Sequence, residues 1–369
     1  MIMVEWRSMW EVTTWDKKFS GVEKYMQPEV IKCYYFLANE LADLERQDGD
    51  IRILYTTNKE AYTYSKDVEG KIADGEVVSI PWGGNVNIQY YKGKFVTADN
   101  RIATSNDTNY LLNKFLYYWM LSQKGVIEKM YRGAGIKHPS MLSVLSMEIP
   151  IPSLSDQQRI VEKLDTFTSS IDNLKQQIAL RRKQYEYFRD QLLDLEGKEG
   201  VEMKTLGEIL QVKKGDYITK KEAKEGIYPV ILGGKEPAYY IDKFNHTGKA
   251  IVISRSGASA GYVSFWNEPI FVTDGFWVES KEKVSIEYLY YLLKSKQREL
   301  HGAQKGGAIP HVTPAIIEAI EVALPDKFIQ QRIVDILDKF EASIQNLEAQ
   351  LSQREKQYEY YRNKLLTFE

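Results

Sequence analysis

Cysteine, histidine and long apolar runs are scarce in this chain. Cys33 is the only cysteine among 369 residues, which excludes an intramolecular disulfide framework and any cysteine-based zinc site. The four histidines show no metal-ligand spacing. No run approaches the roughly 18 apolar residues of a membrane span, and the first residues lack the apolar segment of a secretory signal. We therefore expect a cytoplasmic protein that binds no metal ion.

A surplus of one charge is also missing. The chain has 49 basic and 51 acidic residues, for a net charge of -2, whereas a nucleic-acid binder usually shows a basic surplus. Phosphate-binding loops, metalloprotease motifs and dinucleotide fingerprints are not found, and no pair of carboxylates stands out as catalytic. Together these absences favour a binding protein over an enzyme, with no catalytic residue in this chain.

One short pattern does point to chemistry. Gly257-Ala-Ser-Ala-Gly261 matches the G-x-S-x-G nucleophile motif, which requires a strand, a sharp turn and then a helix. A strand-like run follows it instead, so a hairpin turn is the better interpretation. Hydrolysis at Ser259 remains as an enzyme alternative.

The dominant feature is an internal repeat. Residues 157–193 align without a gap with residues 330–366, and 22 of the 37 positions are identical. The same offset of 173 extends upstream, where Gly133, Ile136 and His138 match Gly306, Ile309 and His311. The chain therefore consists of two copies of one unit, each with a globular part followed by a helical part.

The two copies differ by an insertion. Near the start of each copy the offset is 197 instead of 173, so the first copy contains 24 additional residues. We place them near residues 28–50, where apolar residues from Ile31 to Leu44 recur at helical spacing. Two roles stay open for this insertion: it extends the first globular part, or it contacts a partner.

Each helical part carries a heptad seam. In the first copy the seam begins at Ile160 and Leu164 and is interrupted only by Arg181; Arg354 interrupts the equivalent seam. About 40 residues give a helix of roughly 60 Å, and the nearest partner for one helix is the other, antiparallel about a pseudo-twofold axis. The arginines either fix the register or contact another group, or they extend to the edge of the pair.

The globular parts have the pattern of β-hairpins joined by glycine-rich turns and followed by a short helix. Two loops in each part carry polar and basic side chains. One is the turn tip at residues 81–87 and at residues 254–259; the other precedes the helical part at residues 132–138 and 305–311. Arginine and asparagine can pair with bases, and glycine lets a backbone approach a ligand, but ordinary solvated turns would show the same pattern.

The chain resembles the specificity subunits of type I DNA restriction-modification enzymes. The resemblance rests on the repeat, on the helix opening from Pro152 to Val161 with its copy at Pro325 to Val334, and on the tails Lys183–Leu193 and Lys356–Leu366. It implies an α+β fold in which two β-rich target recognition domains are joined by two long antiparallel coiled-coil helices. The corresponding divisions are 1–152 and 197–325 for the domains, and 153–196 and 326–369 for the spacer helices.

The resemblance also implies a function. Each domain would read one half of a bipartite, asymmetric double-stranded DNA site, and the helices would dock two methyltransferase subunits and, with them, restriction subunits. S-adenosylmethionine, ATP and Mg would belong to those partners, with no cofactor in this chain. The alternative is a coiled-coil scaffold with two protein- or glycan-binding β domains.

Turn position and side-chain type select the candidate residues. The candidate DNA contacts are Lys17, Lys18, Trp82, Asn85, Asn87, Arg101, Arg132, Lys137, Lys213, Lys214, Lys235, Arg255, Ser256, Ser259, Lys305 and His311. The candidate seam and subunit-docking residues are Arg159, Phe167, Arg181, Tyr185, Arg332, Phe340, Arg354 and Tyr358.

Overall fold

The computed structural model describes residues 4–219, 221, 223–234, 236–281, 284–302 and 311–368. Within these, the chain divides into two compact units. The first contains residues up to 173 together with those from 351 onwards, and the second contains residues 174–350. Each unit thus holds one globular part and a segment of both long helices.

The first globular part is built on a six-stranded sheet in the order β2-β7-β5-β6-β3-β4, in which only the β3–β6 pairing is parallel. Its strands are β1 Glu5–Ser8, β2 Thr13–Trp15, β3 Ile51–Leu54, β4 Ala61–Thr63, β5 Ala73–Pro81, β6 Gln89–Thr97, β7 Asn100–Ser105, β8 Tyr131–Arg132, β9 His138–Pro139 and β10 Glu148–Ile151. Its helices are α1 Met9–Val12, α2 Ala38–Asp43, α3 Asn113–Ser122, α4 Lys124–Lys129 and α5 Met141–Leu145, and α6 Leu154–Leu193 follows as the first long helix.

The second globular part repeats this plan in two smaller sheets, ordered β12-β18-β15-β16 and β14-β13-β17 among the described residues. Its strands are β11 Glu202–Thr205, β12 Leu210–Lys214, β13 Tyr228–Ile231, β14 Tyr239–Ile241, β15 Lys249–Ser254, β16 Val263–Asn267, β17 Phe271–Val272, β18 Gly275–Ser280 and β19 Glu321–Leu324. Its helices are α7 Leu206–Ile209, α8 Ile286–Ser295, α9 Gln297–Gly302 and α10 Pro314–Glu318, and the second long helix is α11 Lys327–Leu366.

Both sheets place an apolar face against a helix. In the first part α3 covers β5, β6 and β7 and buries Phe115 and Leu116; in the second, α8 covers β15 and β16 and buries Leu289. The strand that opens each part, β1 or β11, pairs antiparallel with the strand just before the long helix, β10 or β19. The first and last strands of each globular part are therefore hydrogen-bonded to each other before the long helix begins.

The long helices run antiparallel, as predicted. In the second unit Arg182 forms an ion pair with Glu348, the Tyr185 hydroxyl donates to Glu341 at 3.2 Å, and Phe188 stacks on Phe340 with ring centroids 5.5 Å apart. As the residue number rises along the first long helix, the number of the contacting residue on the second falls. The two helices therefore run in opposite directions. The predicted α+β fold class, with two β-rich parts and two 40-residue antiparallel helices, is confirmed.

Two local predictions have different outcomes. The Gly257–Ser259 segment forms a 3-10 turn that leads into β16, so the hairpin interpretation is confirmed and the chain does not form a nucleophile elbow there. The predicted helix across residues 28–50 is wrong in extent, because only Ala38–Asp43 is helical. The preceding residues are extended: Tyr35 bridges Thr97, and the Phe36 amide donates to the Thr97 carbonyl at 3.0 Å.

Candidate nucleic-acid interface

In the first unit the two predicted loops form a single surface. The Gly84 amide donates to the Lys137 carbonyl at 3.0 Å, and His138 Nδ1 lies 2.7 Å from the Trp82 carbonyl oxygen. Gly83 allows this approach, since a Cβ there would lie 2.9 Å from the Ile136 side chain. Arg132 and Lys137 are exposed on the same hairpin, so basic side chains border the turn tip.

Trp82 lies at the centre of this surface and is partly buried. Its ring stacks on Phe19 with centroids 6.5 Å apart, and Lys17 Nζ lies 5.1 Å from the ring centroid. Burial, followed by the positive charge of Arg101, lowers the pKa of Lys17. Lys18, beside it, is exposed and free to reach a phosphate.

Arg101 requires a correction to its assigned role. Its side chain is only 5% exposed and pairs with Asp16 at 2.7 Å, so it cannot present a donor to DNA from this position. Instead its guanidinium lies 4.9 Å from the Trp82 ring centroid. Arg101 therefore supports the turn tip from the interior.

The two asparagines of the tip differ. Asn87 is half-buried and donates to the Thr56 carbonyl at 3.1 Å, so its amide holds the loop. Asn85 is exposed and remains the amide that a base edge could meet.

In the second unit the turn tip meets the described end of the second loop, while residues 305–310 of that loop lie outside the described residues. The Val312 amide donates to the Arg255 carbonyl at 2.9 Å, and Ser256 forms an isolated bridge with His311. His311 is partly buried and its Nδ1 has no hydrogen-bond partner among the described residues. Arg255, half-buried at the tip, lies 3.6 Å from an Asp274 carboxylate oxygen.

The sequence reasoning missed Asp274. It has φ of 45°, a left-handed conformation that is uncommon for a residue other than glycine. Its carboxylate accepts from the Ser256 hydroxyl, and its carbonyl accepts from the Arg255 amide at 3.3 Å. In the first unit the Asp99 carbonyl accepts from the Trp82 amide at 2.6 Å, so Trp82 and Arg255 occupy equivalent places.

The other described candidates of the second unit are Lys213, Lys214 and Ser259. Lys213 pairs with Glu279 at 2.7 Å, whereas Lys214 is exposed at the end of β12, and Ser259 is exposed in the 3-10 turn. Lys235 and Lys305 lie outside the described residues.

The helical candidates separate into two groups. Arg354 lies 5.8 Å from the Phe167 ring centroid and Arg181 lies 5.9 Å from that of Phe340, so each seam arginine covers a phenylalanine within its own unit. The remaining two arginines are exposed at the helix starts, Arg159 paired with Asp156 and Arg332 beside Phe328.

Tyrosines join the long helices to each other and to the globular parts. In the second unit the Tyr185 hydroxyl donates to Glu341 of the other long helix, and Tyr185 also packs into the core of the globular part. Burial raises the pKa of Tyr185 and that of Glu341. In the first unit Tyr358 packs against the core of the globular part. These residues hold each unit together.

Gln157 and its repeat Gln330 also escaped the sequence analysis. Gln157 is fully buried; its side chain accepts from the Leu112 amide and donates to the Tyr110 and Pro152 carbonyls, each at 2.9 Å. Gln330 donates to the Pro325 carbonyl at 2.9 Å. A polar residue that is identical in both copies was the available signal, and it marks where each helix attaches to its globular part.

No helix among the described residues combines the length and the apolar character needed to cross a membrane. Across the same residues, no group of three or more histidine, cysteine and carboxylate side chains is placed to hold a metal ion.

The chain is a duplicated α+β protein with two β-rich parts and two long antiparallel helices. The profile of the family described as type I restriction modification DNA specificity domain matches residues 29–180 and again residues 198–355. The chain belongs to this family and is a specificity subunit of a type I restriction-modification complex. The resemblance in the sequence is thereby confirmed, and the scaffold alternative receives no support.

Relatives and solved structures agree with this assignment. A putative type I restriction enzyme specificity subunit of Haemophilus influenzae is 30% identical over 357 residues, covering 88% of this chain and 89% of that protein. A type I restriction enzyme specificity subunit of Escherichia coli is 28% identical over 73% of this chain and 74% of its own length. The crystal structure of a type I S subunit from M. genitalium has the same fold, with a TM-score of 0.70 at 20% identity over 100% of this chain and 97% of that one.

Proposed function

We propose that this chain reads a bipartite, asymmetric DNA site, with one globular part for each half-site. The observation that carries the proposal is that, among the described residues of each unit, the turn tip bonds to the segment ahead of the long helix, through Gly84–Lys137 in the first and Arg255–Val312 in the second. The architecture is the same, but the residues at the tips differ. Two surfaces with different side chains favour two different half-sites.

The side chains at each tip suit different base contacts. In the second unit Arg255 has the donor geometry for guanine O6 and N7, and Ser256 lies beside it. In the first unit Trp82 is apolar and Asn85 offers an amide suited to adenine. Lys18, Arg132 and Lys137 in the first unit, and Lys214 in the second, are placed to contact phosphates, which sets orientation and affinity but carries no sequence information.

Partner subunits complete the complex in this proposal. With a net charge of -2 the chain has little basic surplus for holding DNA alone, so the partners would supply much of the phosphate contact. We propose that two methyltransferase subunits dock on the outer faces of the long helices, near the exposed Arg159 and Arg332, and that restriction subunits join them. S-adenosylmethionine, ATP and Mg act in those partners in the cytoplasm, and this chain is non-catalytic.

A mobility-shift selection tests the proposal. The chain and its matching methyltransferase subunits are incubated with a pool of random duplexes, and the shifted DNA is sequenced. We expect two short defined segments separated by an undefined spacer, with no selection by the methyltransferase subunits alone. A pool that yields no sequence-selective shift would refute the proposal.

A further inference from the structure

The first globular part contains a long connection that the second lacks. Residues 16–50 join β2 to β3, whereas residues 215–227 join the corresponding strands β12 and β13. The additional chain is attached to the sheet through the Tyr35–Thr97 bridge, and it runs beneath the turn tip that carries Trp82. Its contacts there indicate a role for it.

The connection builds a buried polar cluster with one residue of β7. The Asp16 side chain is completely buried, and its Oδ2 accepts from the Tyr35 hydroxyl at 2.6 Å and from Arg101 at 2.7 Å, while its Oδ1 accepts from the Ile102 amide at 2.9 Å. Both oxygens are thus occupied. Breaking such a buried pair by removing one partner is costly, so the cluster holds Arg101 in one place.

Arg101 connects this buried cluster to Trp82 at the turn tip. Its guanidinium carbon lies 5.0 Å from the Tyr35 ring centroid and 4.9 Å from that of Trp82, distances at which a cation is attracted by an aromatic face. Phe19, also in the connection, stacks on the same indole at an interplanar angle of 10°. Residues of the connection therefore set the orientation of Trp82, while part of its surface stays exposed.

The described residues of the second unit show no such arrangement. Arg255 occupies the place of Trp82, and Lys213 occupies the place of Asp16. Lys213 pairs with Glu279 on the neighbouring strand, and no described tyrosine bonds to it. The cluster is therefore a feature of the first globular part.

We propose that Asp16, Tyr35 and Arg101 are positioning residues that fix Trp82 for an apolar contact with a thymine methyl group in the first half-site. The major groove presents this methyl group only at an A·T pair, and a rigid, partly exposed indole offers the apolar surface to meet it. The inference rests on the proposed function, because it presupposes that the first part reads DNA. It makes residues 16–50 part of the recognition surface.

Deoxyuridine substitution tests the contact, because it removes only the methyl group. The first half-site is identified as the one that Arg255→Ala leaves unchanged, and each thymine in it is replaced in turn. In the complete complex we expect one replacement to weaken binding about three- to fivefold, the factor that burial of one methyl group corresponds to. The same replacement should have no effect on the Trp82→Ala complex.

Two further variants test the positioning residues. Tyr35→Phe removes only the hydroxyl that Asp16 accepts, and it should reduce the deoxyuridine effect at that one position. Tyr34→Phe, at the exposed neighbouring residue, is the matched control and should behave as the unaltered chain. Trp82→Phe provides a smaller ring if Trp82→Ala fails to fold, and it should show a reduced effect.

The outcomes separate this inference from the proposed function. The inference is wrong if no thymine replacement weakens binding. It is also wrong if the loss of affinity is as large in Trp82→Ala or Trp82→Phe as in the unaltered chain. In either case, a defined first half-site would still support the proposed function. An undiminished effect in Tyr35→Phe would refute the positioning role. Loss of every defined half-site would overturn both.

Discussion

Replacing Arg255 by alanine should weaken or relax one half-site and leave the other unchanged. The loop backbone should survive, because its hydrogen bonds to Asp274 and Val312 use main-chain atoms at 3.3 and 2.9 Å. The lost ion pair joins side chains that are 40% and 43% exposed, and an exposed pair of this kind contributes about 0–1 kcal/mol. Stability should therefore change little.

DNA binding should change more. A bidentate arginine–guanine contact is worth about 1–3 kcal/mol, which corresponds to roughly a fivefold to 150-fold loss of affinity. Arg255→Lys keeps the charge but loses the planar donor pair, so it should restore affinity in part without restoring the base preference.

Selection from random duplexes by the complete complex measures both effects. Arg298→Ala, which removes an exposed arginine of the same unit on α9, is the control for loss of charge and should leave the site unaltered. If Arg255→Ala selects the same site with the same affinity, Arg255 is only a turn residue.

Three other changes have expected outcomes. Gln157→Ala leaves the Leu112 amide without its acceptor, at a cost of about 1–3 kcal/mol for an unsatisfied buried group. Hydrogen exchange at the Leu112 amide should accelerate in this variant but not in the exposed control Gln158→Ala. Unchanged exchange in Gln157→Ala would contradict the assignment of this hydrogen bond. Replacing residues 201–325 by the domain of another family member should change one half-site only, as read by methylome sequencing, and a change in both would contradict modular reading. Inserting one heptad into each long helix should lengthen the spacer between the half-sites, and an unaltered spacer would show that the helices do not set it.

The strongest predictions from the sequence came from features that depend on local periodicity. The heptad seams and the repeated helix opening at Pro152–Val161 predict two long helices, and both are 40 residues long. The hairpin pattern of the second globular part predicts strands, and the apolar, β-branched run Lys249–Ser254 forms β15. Such elements follow from hydrophobic periodicity, which can be seen in a single sequence.

Other features depend on contacts between distant residues. The apolar spacing after Ile31 resembles that of a helix. In the structure, however, Phe36 and Leu41 enter one core while Cys33 packs against another, and hydrogen bonding to Thr97 keeps the segment extended.

Burial, with the nearby charge of Asp16, raises the pKa of the Cys33 thiol to about 11, so the thiol stays protonated.

The burial of Arg101 could not be predicted from the chain. Arg101 and Asp16 are 85 residues apart, and a charged residue in a strand normally faces solvent. Arg255 follows β15 and Asp274 precedes β18, and the left-handed conformation of Asp274 has no sequence signal. In both units the role of the tip residue stays a prediction, and the contacts that support it join residues that are not neighbours in the sequence.

The reciprocal arginine contacts have a consequence for how this chain could arise and diverge. Arg354 covers Phe167 in one unit and Arg181 covers Phe340 in the other, and these are the same two positions of the repeat. The first helix alone thus carries both partners of the contact, as an isologous interface requires. If two identical half-length chains paired in this way, each substitution would change both arginine–phenylalanine contacts at once. In a single chain that carries both copies, a substitution in one copy changes one contact and one globular part and leaves the other copy unchanged.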